Sequence, residues 1–185
     1  MKLQRFSGFL SHPHKALAEP LAQWFLTAKG QQLERMERDL LEPQLNRHFG
    51  SYIVHYNPPV PMPVAPSIRH RVSLGDKSLQ VDMQCTENKW PVAADTADVV
   101  VLQHRLDFAA SPHDVLREAA HCVRAGGHLV IVGAHAWSFF GLYRFGTRSV
   151  WRHAHCLPPA RITDWLGVLG FSLEKCCFAA YPPLL

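Results

Sequence analysis

Histidines and cysteines are the residues of this sequence whose types and spacing could do chemistry. The chain has twelve histidines and five cysteines, and the closely spaced His153, His155 and Cys156 suggest a metal site, because imidazole and thiolate are zinc ligands. No second ligand pair with zinc spacing lies nearby, and His121 with Cys122 falls on a different predicted helix. No cysteine stands at a strand-to-helix turn, where a nucleophile would be exposed. We therefore expect neither a metal site nor cysteine catalysis.

The composition is that of one globular domain in a reducing compartment. With 185 residues, 48% of them hydrophobic and 18% charged, the chain can bury one core and is too apolar to be disordered. The five cysteines include no Cys-x-x-Cys pair, so a disulfide framework is not expected. The first ten residues lack the apolar run of a signal peptide, and the longest apolar stretch, residues 129–143, is too short to span a bilayer. We expect a cytoplasmic protein.

The clearest structural signal is a strand, a helix and a second strand. Residues 98–102 (DVVVL) form a continuous apolar run, which indicates a strand buried on both faces, as in a parallel sheet. Ser111 and Pro112 are typical of a helix start, and Gly126 with Gly127 is typical of a helix end. Residues 128–132 (HLVIV) complete a βαβ unit.

Further elements are predicted on both sides of this unit. Apolar residues at helical spacing predict one or two helices that end near Pro43, and these could cover a ligand pocket or simply pack on the domain. Five prolines within residues 57–66 exclude helix and central strand and predict a stiff, extended loop. The other predicted elements are strands over residues 51–56, 69–73 and 79–83, a helix over 159–169 and a final strand over 171–178.

The segment from Trp90 to Gly133 resembles the second half of a type 11 domain of the class I S-adenosylmethionine-dependent methyltransferases. The shared order is an apolar-Pro pair, an acidic turn, strand four, a His-containing segment, a helix, a Gly-Gly turn and strand five. The resemblance extends over residues 90–178 and also matches a bacterial subgroup. It implies an α/β fold with a Rossmann-like, mostly parallel sheet flanked by helices. We expect a single domain over residues 1–185, with a helical N-terminal segment (1–48) and a core (49–185).

The same resemblance implies that S-adenosylmethionine binds in the crevice at the carboxyl ends of the strands. It assigns cofactor contacts to residues at or after strands one, three and four, namely Tyr56, Asn57, Asp82, Met83 and Gln103. His104 is the candidate catalytic base, and the structural alternative is a histidine hydrogen-bonded to a nearby carbonyl. Three residues after strand five would shape the substrate pocket: His135, Trp137 and Tyr143. Packing under a lid is the alternative role for Trp137.

The sequence departs from the family near the first two strands. The family has a glycine-rich turn after strand one, whereas this chain has no glycine between Gly50 and Gly75 and places Pro58 and Pro59 there. The acidic residue that would hold the ribose hydroxyls after strand two is missing from residues 67–73. Two functions stay open: a methyltransferase with an unknown acceptor, for which a small molecule is one candidate, and a catalytically inactive methyltransferase-like binding or regulatory protein.

The last predicted strand bears on partners. The family places a strand seven between strands five and six, and this chain stops soon after the predicted strand six. An open edge on strand five would invite pairing with another chain. Three alternatives stay open: a truncated chain, a homodimer through that edge and a rearranged strand that covers it. The formal charge of +4 is diffuse, so we expect neither nucleic acid nor a membrane as a partner.

Overall fold

The computed structural model describes residues 17–135 and 149–179. Its elements are, in chain order, α1 (Ala18–Phe25), α2 (Ala28–Leu45), β1 (Gly50–Tyr56), β2 (Ile68–Gly75), β3 (Met83–Gln84), β4 (Ala97–Gln103), α3 (Arg105–Phe108), α4 (Pro112–Cys122), β5 (Val123–Val132), a 3₁₀ turn (Val150–His153) and α5 (Pro159–Val168). Within these two ranges no helix has the length and apolar character needed to cross a membrane.

One parallel sheet organises the fold. Its five strands lie in the order β3-β2-β1-β4-β5, and every neighbouring pair is parallel. Strand β4 is buried at every position, as its continuous apolar run predicted. The predicted α/β fold with a Rossmann-like, mostly parallel sheet is confirmed. The division into residues 1–48 and 49–185 stays a prediction.

Two N-terminal helices, α1 and α2, meet at a tight turn. The Thr27 side chain caps α2 by accepting the backbone N–H of Gly30 at 3.2 Å. A Cβ on Gly30 would lie 2.3 Å from the carbonyl oxygen of Trp24, so glycine is what allows the helices to approach so closely. Helix α2 continues to Leu45, two residues past the predicted end, because Pro43 removes only one hydrogen bond in the last turn.

An extended proline segment, residues 57–67, connects the parallel strands β1 and β2. Such a crossover is usually helical. Here Met62 and Ala65 pack directly on the sheet, against Ile53, Val99 and Val101. The segment forms neither helix nor strand, as predicted. It covers this face of the sheet together with the end of α2.

Helices α4 and α5 cover the opposite face. Ser111 caps α4 by accepting the backbone N–H of Asp114 at 3.4 Å, and Pro112 occupies the first turn, as predicted. The apolar side of α4, including Val115 and Leu116, is fully buried in the main core. Trp165 and other residues of α5 pack against the same core.

The predicted start of β5 and the strands predicted over residues 79–83 and 171–178 were wrong. Helix α4 ends at Cys122, and β5 begins at Val123, because Val123 already pairs with Ala97 of β4. The strand predicted over 79–83 is reduced to Met83–Gln84, since residues 76–82 turn after β2. Residues 171–178 form no strand, and they find no strand partner within the described ranges. Strand β5 pairs only with β4 there, so the homodimer through its edge stays a prediction.

Asp98 joins β1, β4 and β5 at the amino end of the sheet. Its Oδ2 accepts the backbone N–H groups of Ser51 at 2.6 Å and Tyr52 at 2.8 Å, and its Oδ1 lies 2.6 Å from Arg124 Nε. Burial alone would raise the pKa of Asp98, but these hydrogen bonds and Arg124 lower it. The ionised carboxylate therefore stabilises the folded chain at neutral pH.

Removing this carboxylate should destabilise the fold. We expect D98A to lower the free energy of unfolding by about 1–2 kcal/mol, because two backbone donors and Arg124 lose their acceptor. Urea unfolding measures the change. D39A, which removes an exposed aspartate on α2, should change it by less than about 0.5 kcal/mol. Equal losses in the two variants would contradict this role.

Candidate functional site

The strand order reverses between β1 and β4. From β1 the chain continues to β2 and β3 on one side, whereas β4 and β5 lie on the other. In open α/β sheets, ligands bind at the carboxyl ends of the strands at such a point. Tyr56 and Asn57 stand at the end of β1, and Gln103 and His104 at the end of β4. The structure thus brings four of the predicted site residues together, all of them buried, at the carboxyl ends of β1 and β4. We call this place the crevice.

Glu37 of α2 reaches across to the end of β4. One of its oxygens accepts Gln103 Nε2 at 2.6 Å, and the other lies 2.6 Å from His104 Nε2. On the far side of the ring, His104 Nδ1 lies 3.3 Å from Asp107 Oδ2, which also accepts the backbone N–H of Ala134 at 2.8 Å. We call Glu37, Gln103, His104 and Asp107 the Glu37 cluster; none of the four is more than 3% exposed.

The electrostatics of this cluster favour the charged form of His104. Burial alone would lower the pKa of His104, but Glu37 and Asp107 raise it to about 10. The ring is therefore an imidazolium at neutral pH, with each N–H donated to a carboxylate rather than to a carbonyl. Phe25 and Trp151 contact the ring, with centroid distances of 5.8 and 5.0 Å. Both nitrogens of the His104 ring are therefore bonded to carboxylates of the protein, and aromatic rings contact it.

An asparagine closes the loop after β1 in place of glycine. Asn57 has a φ of 45°, in the left-handed region that asparagine tolerates better than most residues. Its Oδ1 accepts the backbone N–H of Asp76 at 2.7 Å, and a Cβ on Gly75 would lie 2.3 Å from that oxygen. The preceding Tyr56 is buried and stacks on Trp90, with ring centroids 4.5 Å apart. The ends of β1 and β2 are therefore bridged by a side chain.

The observed strand boundaries change which acidic residue follows strand two. Strand β2 runs through Gly75, so Asp76 is the first residue after it, and the inference that an acidic residue is missing there was wrong. Asp82 precedes β3 instead of following it. The Asp82 carboxylate accepts the hydroxyl of Ser73 at 2.6 Å and its backbone N–H at 2.7 Å, which lowers the pKa of Asp82.

The remaining predicted site residues follow or begin other strands, or lie outside the described ranges. Met83 begins β3, two strands from β1. His135 follows β5, and its ring meets Phe178 edge-on at 5.8 Å. Trp137 and Tyr143 lie outside the described residues. The functional roles assigned to all the site residues from the sequence stay predictions.

Comparison with known proteins relates this sequence and its fold to methyltransferases. Residues 64–131 match the family model of a methyltransferase domain. A chain of the Haloferax volcanii complex that contains the Trm112 methyltransferase activator superimposes with a TM-score of 0.58 and 14% identity, over 81% of this chain and 75% of that chain. A SAM-dependent methyltransferase of Thermotoga maritima superimposes with a TM-score of 0.53 and 15% identity, over 85% and 82%. This chain has the fold of the class I S-adenosylmethionine-dependent methyltransferases. The resemblance to this family that the sequence indicated is confirmed, and the family model covers residues 64–131.

Two further relatives extend the comparison. The YcgJ protein of Bacillus subtilis superimposes with a TM-score of 0.58 and 10% identity, over 73% of this chain and 68% of that chain. The uncharacterized protein YafS of Escherichia coli (strain K12) is 30% identical over 110 residues, which are 58% of this chain and 46% of YafS. The match thus spans about half the length of that curated relative.

Sequence reasoning missed four charged residues near the carboxyl ends of β1 and β4, namely Glu37, Asp76, Arg105 and Asp107. A signal for Glu37 was present, because Leu33, Glu37, Leu41 and Leu45 recur every four residues and so share the buried side of α2. Asp76 was hidden by the Gly75-Asp76 pair, which is also typical of a turn. Arg105 and Asp107 directly follow the predicted strand four, and only the structure shows that both are buried.

The Glu37 cluster should make the free energy of unfolding fall as the pH rises into the alkaline range. His104 has a pKa near 6.5 when unfolded and about 10 when folded, so its contribution is complete below 6.5 and is lost as pH rises toward about 10. We expect the free energy of unfolding to fall over this window more steeply in the wild type than in E37Q, which raises the His104 pKa less.

Urea unfolding at a series of pH values measures this difference. D39N on the same helix is the control, because Asp39 is exposed and its variant should keep the wild-type slope. If E37Q and the wild type lose stability in parallel between neutral and alkaline pH, His104 is not the titrating group.

Proposed function

We propose that this protein transfers a methyl group from S-adenosylmethionine to an acceptor held at the carboxyl edge of the sheet. The observation that carries the proposal is Asp76, a carboxylate directly after β2 and beside the crevice between β1 and β4. In the family that the fold resembles, an acidic residue after strand two holds the ribose hydroxyls of the cofactor. A small molecule is one candidate for the acceptor.

The polar groups at the crevice fit this cofactor. Asp76 Oδ1 accepts the backbone N–H of Ser78 at 3.1 Å, and within the described residues no hydrogen bond engages Oδ2, which can accept from a ribose hydroxyl. Gln103 Oε1 is buried without a hydrogen-bond partner in the same part of the chain. A buried acceptor without a partner costs free energy that a ligand or water can recover. When bound, S-adenosylmethionine would supply the electrophilic methyl group.

The methionine end of the cofactor needs contacts other than a glycine turn. Asn57 uses its side chain to close the loop, and Pro58 and Pro59 have no N–H to donate. The backbone of this loop therefore offers fewer N–H donors to the cofactor than the glycine-rich turn of the family does. Side chains at the ends of β1 and β4 are the groups left to bind that end.

Methyl transfer from a sulfonium depends mainly on proximity and alignment. For His104 we propose a positioning role rather than that of a general base, because an imidazolium has no free lone pair to accept a proton. Its bonds to Glu37 and Asp107 tie α2 and the backbone at Ala134 to the end of β4. The ring would thereby hold two walls of the crevice at a fixed separation.

Cofactor binding should depend on Asp76 and not on Asp82. In isothermal titration calorimetry with S-adenosylhomocysteine, we expect D76N to weaken binding by about tenfold or more, because a charge-assisted pair of hydrogen bonds is lost. D82N is the matched control: it removes an exposed carboxylate that is already bonded to Ser73, and the affinity should stay within about twofold.

Other outcomes would redirect the account. If D82N weakens binding and D76N does not, the cofactor contacts Asp82 next to β3, as the family resemblance implied, and Asp76 does not hold the ribose. If the wild type binds neither S-adenosylmethionine nor S-adenosylhomocysteine, the methyltransferase proposal fails, and an inactive binding or regulatory protein becomes the better description.

A further inference from the structure

Arg105 is a buried cation at the crevice. It follows His104 directly after β4, and only 2% of it is exposed. Its guanidinium carbon lies 5.7 Å from the ring centroid of Tyr56, the last residue of β1. The charge is therefore held between the carboxyl ends of β1 and β4, where an open α/β sheet binds its ligand.

No carboxylate side chain of the protein pairs with this cation. All fifteen Asp and Glu residues of the sequence fall within the described ranges, and none of them forms an ion pair with Arg105. Within those ranges its Nε is buried without a hydrogen-bond partner. A guanidinium keeps its charge, so burying it without an anion is unfavourable, and the contact with the Tyr56 ring offsets only part of this.

The nearest acidic groups are committed elsewhere. Glu87 accepts the backbone N–H groups of Ala110 and Ser111 with both oxygens, at 3.0–3.1 Å. Asp107 is held by His104 and Ala134. Asp76 faces the ribose position in the proposed function. These carboxylates influence Arg105 electrostatically without contacting it.

We propose that Arg105 is the carboxylate-binding group of the crevice. The inference rests on the proposed function and deepens it: the ligand presents a carboxylate, which the fork of N–H groups on Arg105 can bind in a bidentate manner. One source is the methionine end of the cofactor, for which the loop after β1 lacks amide donors. The other source is a carboxylate on the methyl acceptor.

Calorimetry with two probes separates these sources. S-adenosylhomocysteine carries the amino-acid carboxylate, whereas 5′-methylthioadenosine has the same nucleoside without it. If the cofactor supplies the carboxylate, R105M should weaken S-adenosylhomocysteine binding by about tenfold and leave 5′-methylthioadenosine within about twofold. R105K should recover part of the loss. R117M, which changes an exposed arginine on α4, should affect neither probe.

Thermal unfolding in sodium acetate, against sodium chloride at equal ionic strength, tests the other source. If the acceptor supplies the carboxylate, acetate should stabilise the wild type saturated with S-adenosylhomocysteine and should not stabilise R105M. If the wild type binds neither nucleoside but acetate stabilises it more than R105M, the carboxylate site stands and the methyltransferase proposal fails.

Three results would overturn the inference. R105M could bind both probes as the wild type does and keep the same response to acetate. It could weaken both probes equally, which would mean that Arg105 shapes the pocket and does not bind a carboxylate. The third result concerns the stability of ligand-free R105M. We expect it to unfold at the same temperature as the wild type or higher, because an uncompensated buried charge is removed. A lower unfolding temperature would mean that the chain itself satisfies Arg105.

Discussion

The carboxylate of Glu37 is the interaction on which the ligand edge of this protein depends. It accepts hydrogen bonds from Gln103 and His104, two successive residues at the end of β4, and all three side chains are buried. Groups paired in a low-dielectric interior are costly to separate, so this contact fixes α2 across the carboxyl edge of the sheet. Asp107 extends the network to the backbone at Ala134, after β5. One side chain on a helix thereby sets the separation between the N-terminal segment and the ends of the central strands.

The crossover between β1 and β2 shows a second constraint, which comes from proline. A non-helical segment packed on a sheet normally leaves backbone donors to be satisfied, but five prolines within residues 57–66 have no N–H to satisfy. The same prolines remove the amides that a glycine-rich turn would present to a ligand. The groups that this edge can offer a ligand are consequently side chains, and Asp76 and Arg105 are two charged ones among them. In the proposed function, side chains thus replace the backbone donors that the glycine turn supplies in the family pattern.

Local signals were enough to predict the centre of the fold. The apolar run of β4 and the Ser111-Pro112 start of α4 agree with the structure, because both depend on residues adjacent in sequence. The end of β2 could not be predicted, because a polar strand followed by Gly75-Asp76 looks the same in sequence as a shorter strand and a turn. The final strand was predicted from apolar residues alone. A strand also needs a neighbouring strand with which to pair, and the local sequence does not show whether one is present. Long-range pairing likewise hid the partner of His104, sixty-seven positions away on α2.

A crystal structure of the protein with S-adenosylhomocysteine would test the central claim most directly. The account predicts density for the ligand at the carboxyl ends of β1 and β4, with the ribose hydroxyls bonded to the Asp76 carboxylate. Arg105 should contact the amino-acid carboxylate of the ligand, or face the space left for the acceptor if the acceptor supplies the carboxylate. Glu37 should keep its bonds to Gln103 and His104 in that complex. A ligand bound elsewhere, or a crevice that stays closed by Tyr56 and the proline segment at saturating ligand, would contradict the account.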